Sequence, residues 1–279
     1  MLDDKVCVVT GASSGIGRAT AFGLAELGST VLLVVRDKHK GDSVAEAIRS
    51  RTKKDSARVF VADLSLQKDV RRVAAEIAAH CPRIDVLVNN AGGIFDKKIL
   101  TADGIEMTIA LNHLGYFLLT NLLLEKLKCA PAARIVNMSS DAHMFARTGA
   151  IELDDGRPYN AMERYATSKL LNVLFTYELG RRLEGTNVAV NAMHPGAVRS
   201  NFGKQLSGVG GFVFKYLDIF MRSPEKGAET AIWLASDQLL EGKTRKYYHD
   251  LREKRSSRVS YDPALAKKVW DVSTRLTQL

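Results

Sequence analysis

The chain has 279 residues, 46% hydrophobic and 25% charged, a globular composition that excludes collagen-like, disordered and disulfide-scaffold classes. Lys and Arg number 40 against 31 Asp and Glu, a net charge of +9. That excess admits an anionic partner such as nucleic acid, an acidic membrane or a phosphorylated cofactor without choosing among them. The least broken apolar stretch, residues 114–124, stops at Glu125, short of the roughly 20 residues that cross a bilayer. Cys7, Cys81 and Cys129 are scattered, and Asp3 and Asp4 stand where a basic, then apolar leader would begin. These features predict a reduced, cytoplasmic protein without a transmembrane anchor.

In chain order, Val6–Thr10 is the first predicted strand. From Ile16, residues Ala19, Gly23, Leu24 and Leu27 share one helical face, and Gly28 supplies a stop. Residues 31–35, 59–61, 86–88, 135–138 and 188–192 are further apolar strands, each followed by a helical segment. Apolar strands alternating with helices predict an α/β fold: a single doubly wound parallel sheet with helices on both faces and ligands at the strands' carboxyl ends. No linker or repeat divides the chain, so residues 1–279 are expected to form one domain. The basic run 243–258 lacks regularly interleaved aromatics and is expected to be a solvated face, with no nucleic-acid role.

Between the first strand and first helix stand Thr10, Gly11, Ala12, Ser13, Ser14, Gly15, Ile16 and Gly17. Glycines there allow a tight turn and close backbone approach, and the amides opening the helix attract a pyrophosphate. The second strand ends on Arg36, about 20 residues beyond Gly17, where an NAD-preferring site generally has an acid. A guanidinium there can grip a 2′-phosphate, which predicts NADP(H) with NAD(H) less favoured.

The ordered motifs resemble the short-chain dehydrogenases/reductases: the G-x-x-x-G-x-G turn, Asp63-Leu64, Asn89-Asn90-Ala91-Gly92, Ser140, Tyr165-x-x-x-Lys169 and Pro195-Gly196. The resemblance implies a Rossmann-type fold and a nicotinamide cofactor. Gly11, Ser13, Ser14, Gly15, Ile16, Gly17, Arg36, Asp63, Leu64, Asn90, Ala91, Gly92, Tyr165, Lys169, Pro195, Gly196, Val198 and Ser200 would contact that cofactor. It further implies that Ser140 holds the substrate oxygen, Tyr165 exchanges the proton, Lys169 binds the ribose, and Asn112 kinks a helix and completes the proton path. Spacing of four puts Tyr165 and Lys169 on one helical face within 161–183, and an ammonium near a phenol is expected to lower the phenol pKa. Ser139, on the opposite face of its strand, is expected to be structural. His143 and His194 lack carboxylates at ligand spacing and are expected to be structural or substrate-lining, with no metal site.

The long interval between Ser140 and Tyr165, with Asp154-Asp155-Gly156, and the segments Arg134-Ile135-Val136-Asn137, His143 and His194-Pro195-Gly196 resemble the retinol-dehydrogenase-like branch. So do a strand over 242–248 and a helix holding Lys267-Lys268-Val269-Trp270 within a tail at about 263–279. A lid over about 197–223 carries Phe202, Leu206, Phe212, Tyr216 and Phe220 and implies a small lipophilic carbonyl or alcohol substrate. The family further implies a homodimer or homotetramer through the helices bearing Asn112 and Tyr165. Two other readings remain open at this stage: a non-catalytic NADP-binding redox sensor and a nucleotide-sugar epimerase.

Overall fold

In the computed structural model, which describes residues 1–147, 158–198 and 222–279, eight strands form one sheet in the order β3-β2-β1-β4-β5-β6-β7-β8. They are β1 (Val6–Thr10), β2 (Thr30–Val35), β3 (Ala57–Val61), β4 (Val86–Asn89), β5 (Ala133–Met138), β6 (Val188–His194), β7 (Tyr247–His249) and β8 (Arg252–Lys254). All neighbours pair in parallel except β7 and β8. The order reverses between β1 and β4, which opens a crevice at their carboxyl ends.

Alternation along the strands divides the core. Val8, Leu32 and Val34 point to one face, where α3 (Gln67–His80), α5 (Gly115–Leu122) and α7 (Ala161–Arg182) contribute Val73, Ile77, Phe117 and Phe175. Cys7, Val9, Val31, Leu33 and Val35 point to the other, against α1 (Gly15–Glu26), α2 (Lys38–Thr52) and α8 (Pro224–Ser236) through Leu24, Ile48 and Leu234. Burial on both faces is why these strands read as continuous apolar runs. Between β4 and β5, α4 (Met107–Ile109) precedes α5, and α6 (Leu124–Lys128) follows it.

The basic run differs from its expected form. The strand expected over 242–248 begins only at Tyr247, because Gly242 and Arg245 adopt positive φ, 72° and 59°. Residues 252–254 then return as antiparallel β8, whose exposed charged side chains give no apolar alternation to read. Helix α9 (Pro263–Thr277) lies against α7, burying Ala266 and Val269 with Leu170, Leu171 and Leu174. Trp270 packs edge-on to Phe117 at 4.9 Å and stacks on Phe175 at 6.0 Å, and the Arg182 guanidinium covers its ring at 4.1 Å. Among the described residues, no helix is long and apolar enough to cross a membrane.

Candidate active site

The crevice is built from the glycine turn outward. Ser14 caps α1 in extended conformation without a side-chain capping bond, so the opening amides of the helix have no side-chain acceptor of their own. Gly11 has φ +66°, and a Cβ at Gly17 would overlap Asn90 Nδ2 and the Gly11 carbonyl. Only glycine lets α1 and the end of β4 close on β1 in this way. The Asn90 amide group donates to Thr10 O at 2.8 Å, and the backbone amides of Asn90 and Ala91 donate to Thr10 Oγ1 at 2.8 and 3.0 Å. Asn89 donates to Thr120 Oγ1 at 2.9 Å and Asn137 Oδ1 at 2.8 Å, and Asn137 donates to Thr176 Oγ1 at 2.9 Å. This ladder of buried amides ties the sheet centre to α5 and α7.

On the β2 side, Arg36 is exposed just beyond the strand. Its neighbours are committed elsewhere: Asp37 caps α2 by accepting from the Lys40 amide at 3.2 Å, and Lys38 pairs with Asp42 at 2.6 Å. The Lys40 backbone amide and side chain hold the Asp37 carboxyl below its ordinary pKa. Asp63 follows β3 and accepts from both the amide and hydroxyl of Ser65, at 3.0 and 2.6 Å, while Leu64 is buried beside it. Beyond β6, Pro195 and Gly196 are half-buried, and Val198 bridges to Arg222, whose amide donates to Ala197 O at 2.8 Å. Ser200, the lid residues and Asp154-Asp155-Gly156 lie outside the described residues. The Gly11 and Ala12 amides donate to Val34 O at 2.9 and 3.4 Å, so the amides from Ser13 to Gly17 and exposed Arg36 are the groups that could hold a dinucleotide.

Past the turn, Tyr165 and Lys169 stand one turn apart on α7, with Lys169 Nζ 5.5 Å from the Tyr165 ring centre and 6.0 Å from that of Tyr116. Nζ donates to Met138 O at 3.3 Å. Ser140, at the end of β5, hydrogen-bonds the Tyr165 phenol. It also caps the short 3₁₀ turn Asp141–Phe145 by accepting from the Ala142 amide at 3.2 Å. Ser139 points away and donates to Lys169 O at 2.8 Å.

The expected depression of the Tyr165 phenol is not what this structure gives. Desolvation pushes the phenol up to about 12 while the Ser140 bond pulls it down, and burial lowers Lys169 to about 7. An amine that is partly neutral near pH 7, and that faces the ring rather than the hydroxyl, exerts little pull on the phenol.

Asn112 sits in a π-helical turn, Ala110–Leu114, which displaces the helix axis where the sequence implied a kink. Its side chain accepts from the Gly93 amide at 2.8 Å and donates to Gly93 O at 2.9 Å and Ser168 Oγ at 3.0 Å. Its carbonyl accepts from Asn172 Nδ2 at 2.9 Å, and the same amide group reaches Met138 O at 3.1 Å. Asn172 therefore links the carbonyls of Asn112 and Met138, the latter shared with Lys169. None of the ordered motifs includes Asn172; its signal in the sequence is an asparagine three residues after Lys169 on an otherwise apolar helix face.

Residues 5–208 match the family model described as short chain dehydrogenase. The chain belongs to the short-chain dehydrogenase family. This dehydrogenase is 40% identical over 285 residues to human retinol dehydrogenase 13, covering 99% of this chain and 85% of the relative, and it lies in the retinol-dehydrogenase-like branch. It superposes on an uncharacterized protein from Mycobacterium Paratuberculosis with a TM-score of 0.80 and 33% identity, over 99% of this chain and 94% of the other. A short chain dehydrogenase from Escherichia coli CFT073 complexed with NADPH gives a TM-score of 0.71 at 26% identity, over 88% and 96%. The dehydrogenase is thus an NAD(P)-dependent oxidoreductase of Rossmann-type fold.

His143 and His194 flank its site. Burial lowers His194 to about 4, and its Nε2 lies 3.8 Å from Asp141 Oδ2. Asp141 in turn accepts from the Tyr247 phenol at 3.0 Å and from Lys254 at 2.8 Å. The basic run thereby supplies a cation and a phenol beside Ser140.

Proposed function

We propose that the protein is an NADP(H)-dependent oxidoreductase interconverting a lipophilic carbonyl and its alcohol, with residues 1–279 acting as one domain. The observation that carries this reading is the Ser140 hydroxyl bonded to the Tyr165 phenol beside buried Lys169, at the carboxyl end of β5. In reduction, Ser140 donates a hydrogen bond to the substrate oxygen and Tyr165 delivers the proton to it. Lys169 and Asn112 support that transfer from the interior side, with Lys169 binding the ribose. The amides of Ser13 to Gly17 and the Ala91-Gly92 edge would hold the dinucleotide, Asp63 and Leu64 its adenine, and Pro195, Gly196 and Val198 the nicotinamide carboxamide. The bound nicotinamide supplies the hydride.

Preference for NADP(H) rests on exposed Arg36 and on Asp37 being spent as a helix cap rather than offered to a ribose. The solved neighbour complexed with NADPH favours the same cofactor. A lipophilic substrate is favoured by the retinol dehydrogenase relatives and by the apolar residues of 202–220.

The test is kcat/KM along a homologous series of straight-chain aldehydes, with NADPH and NADH in parallel. Each added methylene should improve kcat/KM by up to about fourfold, from about 0.8 kcal/mol per buried CH₂, until the pocket fills. A flat or falling series rejects the lipophilic reading, and equal use of both cofactors rejects the cofactor preference.

A further inference from the structure

His143 is fully buried one turn beyond Ser140, and nothing in the reaction above uses it. Its ring nonetheless spans two parts of the molecule. Nδ1 lies 2.6 Å from Ser140 O, and Nε2 lies 2.9 Å from the backbone nitrogen of Ser257. A backbone amide only donates and a carbonyl only accepts, so Nε2 must be the bare nitrogen and Nδ1 must carry the proton. The ring is therefore neutral and its tautomer fixed; protonation at Nε2 would set a donor against a donor. The ring also packs 4.9 Å from that of Tyr247, whose phenol holds Asp141.

The Ser257 end is itself anchored. Ser256 Oγ bonds the Tyr177 phenol on α7 and Ser260 Oγ, both at 2.7 Å. At the other end, Ser140 O receives the ring Nδ1–H and also the His143 backbone amide at 3.0 Å. The Ser140 peptide is thus pinned on its carbonyl side, while its hydroxyl accepts from the Ala142 amide and donates to the Tyr165 phenol.

We propose that His143 is a positioning residue for the reaction assigned to this site: a neutral imidazole whose Nδ1–H holds the Ser140 carbonyl so that the Ser140 hydroxyl stays on the Tyr165 phenol, with the Ser257 amide at Nε2 fixing the tautomer that keeps the proton on Nδ1. The proposal rests on the functional reading above and adds to it a part for the C-terminal segment, which selects the imidazole tautomer that can hold Ser140. Displacing a reacting group by a fraction of an ångström lowers turnover without removing any group that touches substrate.

Two amide variants divide the imidazole's two bonds. In His143→Asn the amide nitrogen stands where Nδ1 stands, keeping a donor for Ser140 O but falling short of Ser257. In His143→Gln the amide oxygen reaches the Nε2 position, keeping an acceptor for Ser257 and leaving Ser140 O without its side-chain donor. His143→Gln should lower kcat about tenfold with little change in KM for NADPH or in Tm, the scale of one lost hydrogen bond in the positioning of Ser140. His143→Asn should keep kcat within about threefold of wild type even where its Tm falls. Ring ¹⁵N shifts in the wild-type protein should report a protonated Nδ1 and a bare Nε2.

Wild-type kcat in His143→Gln, equal losses of kcat in both variants that follow Tm, or an Nε2–H tautomer would each overturn the proposal. Full turnover in Ser140→Ala would instead overturn the reaction assigned to the site, and the positioning role with it.

Discussion

Tyr165 and Lys169 carry opposite consequences of the same burial. Removing only the phenol oxygen in Tyr165→Phe deletes the proton donor, and turnover should fall by about 10²–10⁴ while titrations with NADPH stay near wild type. For Lys169, burial lowers the amine to about 7 from its ordinary 10.5. Between those values the unfolded chain holds a proton that the folded protein has released, so folding stability rises with pH across that window. The limiting slope is about 1.4 kcal/mol per pH unit, and the gain is offset from about pH 9, where the buried Cys7 thiol, raised from 9.0 to about 12, acts in the other direction, joined near pH 10 by the raised Tyr165 phenol. Thermal melts of the cofactor-free protein from pH 7 to 8.5 should show Tm climbing, with a flatter profile in Lys169→Met; parallel profiles would refute a charge cost at Lys169. Arg36→Ala should weaken NADPH by about tenfold or more and leave NADH nearly unchanged, as read by fluorescence titration. Equal weakening of both cofactors would remove Arg36 from the 2′-phosphate.

Helix α1 and strand β4 meet only because Gly17 carries no side chain. A Cβ there would meet Asn90 Nδ2 and the Gly11 carbonyl, the first a side-chain amide locked to Thr10 O and the second backbone. Neither yields cheaply, so Gly17→Ala should destabilise the fold by about 1–3 kcal/mol in urea titrations and abolish measurable NADPH binding. The π-helical turn at Asn112 is the other element whose form serves the site. It aims the asparagine side chain at Gly93 and Ser168 while its carbonyl meets Asn172. Hydrophobic period alone places Asn112 on a helix, but the turn's extra residue follows from partners that lie 19 and 60 positions away in the chain.

Helix α9 binds the C-terminal segment to the catalytic half of the molecule through two routes. One is the aromatic cluster of Trp270 with Phe117, Phe175 and Arg182. The other is buried His113, which bonds Ser273 Oγ at 2.8 Å and Asn172 Oδ1 at 3.3 Å. Asn172 turns its amide nitrogen to two carbonyls, so its oxygen faces His113 and calls for a proton on Nδ1. Desolvation lowers this imidazole to about 4, so the ring is neutral with Nε2 bare, and the single proton of the Ser273 hydroxyl, whose oxygen lies 2.8 Å from each, is shared between Nε2 and Val269 O. Trp270→Ala should lower stability by about 2–4 kcal/mol, less than a fully buried tryptophan because the ring keeps some exposure. Urea unfolding followed at constant m-value measures it, and a loss under about 1 kcal/mol would show that the cluster does not hold α9.

What the sequence determined by itself were the features written in local pattern: six apolar strands, the glycine turn, the one-turn spacing of Tyr165 and Lys169, and the outward turn of Ser139. Each depends on residues within one element, where period and backbone freedom act directly. The tertiary structure decided what depends on distant partners. Strand β8 forms because Tyr247–His249 offers an edge to a charged segment with no apolar alternation. Asp37 is withdrawn from the cofactor side because α2 begins there and takes its carboxylate. That the Tyr165 phenol lies above its ordinary range, rather than below it, follows from burial, which desolvates the phenol and lowers Lys169, whose Nζ stands 5.5 Å from the ring centre. His143 gained the partner at its Nε2 only when Ser257, more than a hundred residues downstream, was brought to it, an approach that no pattern near position 143 encodes.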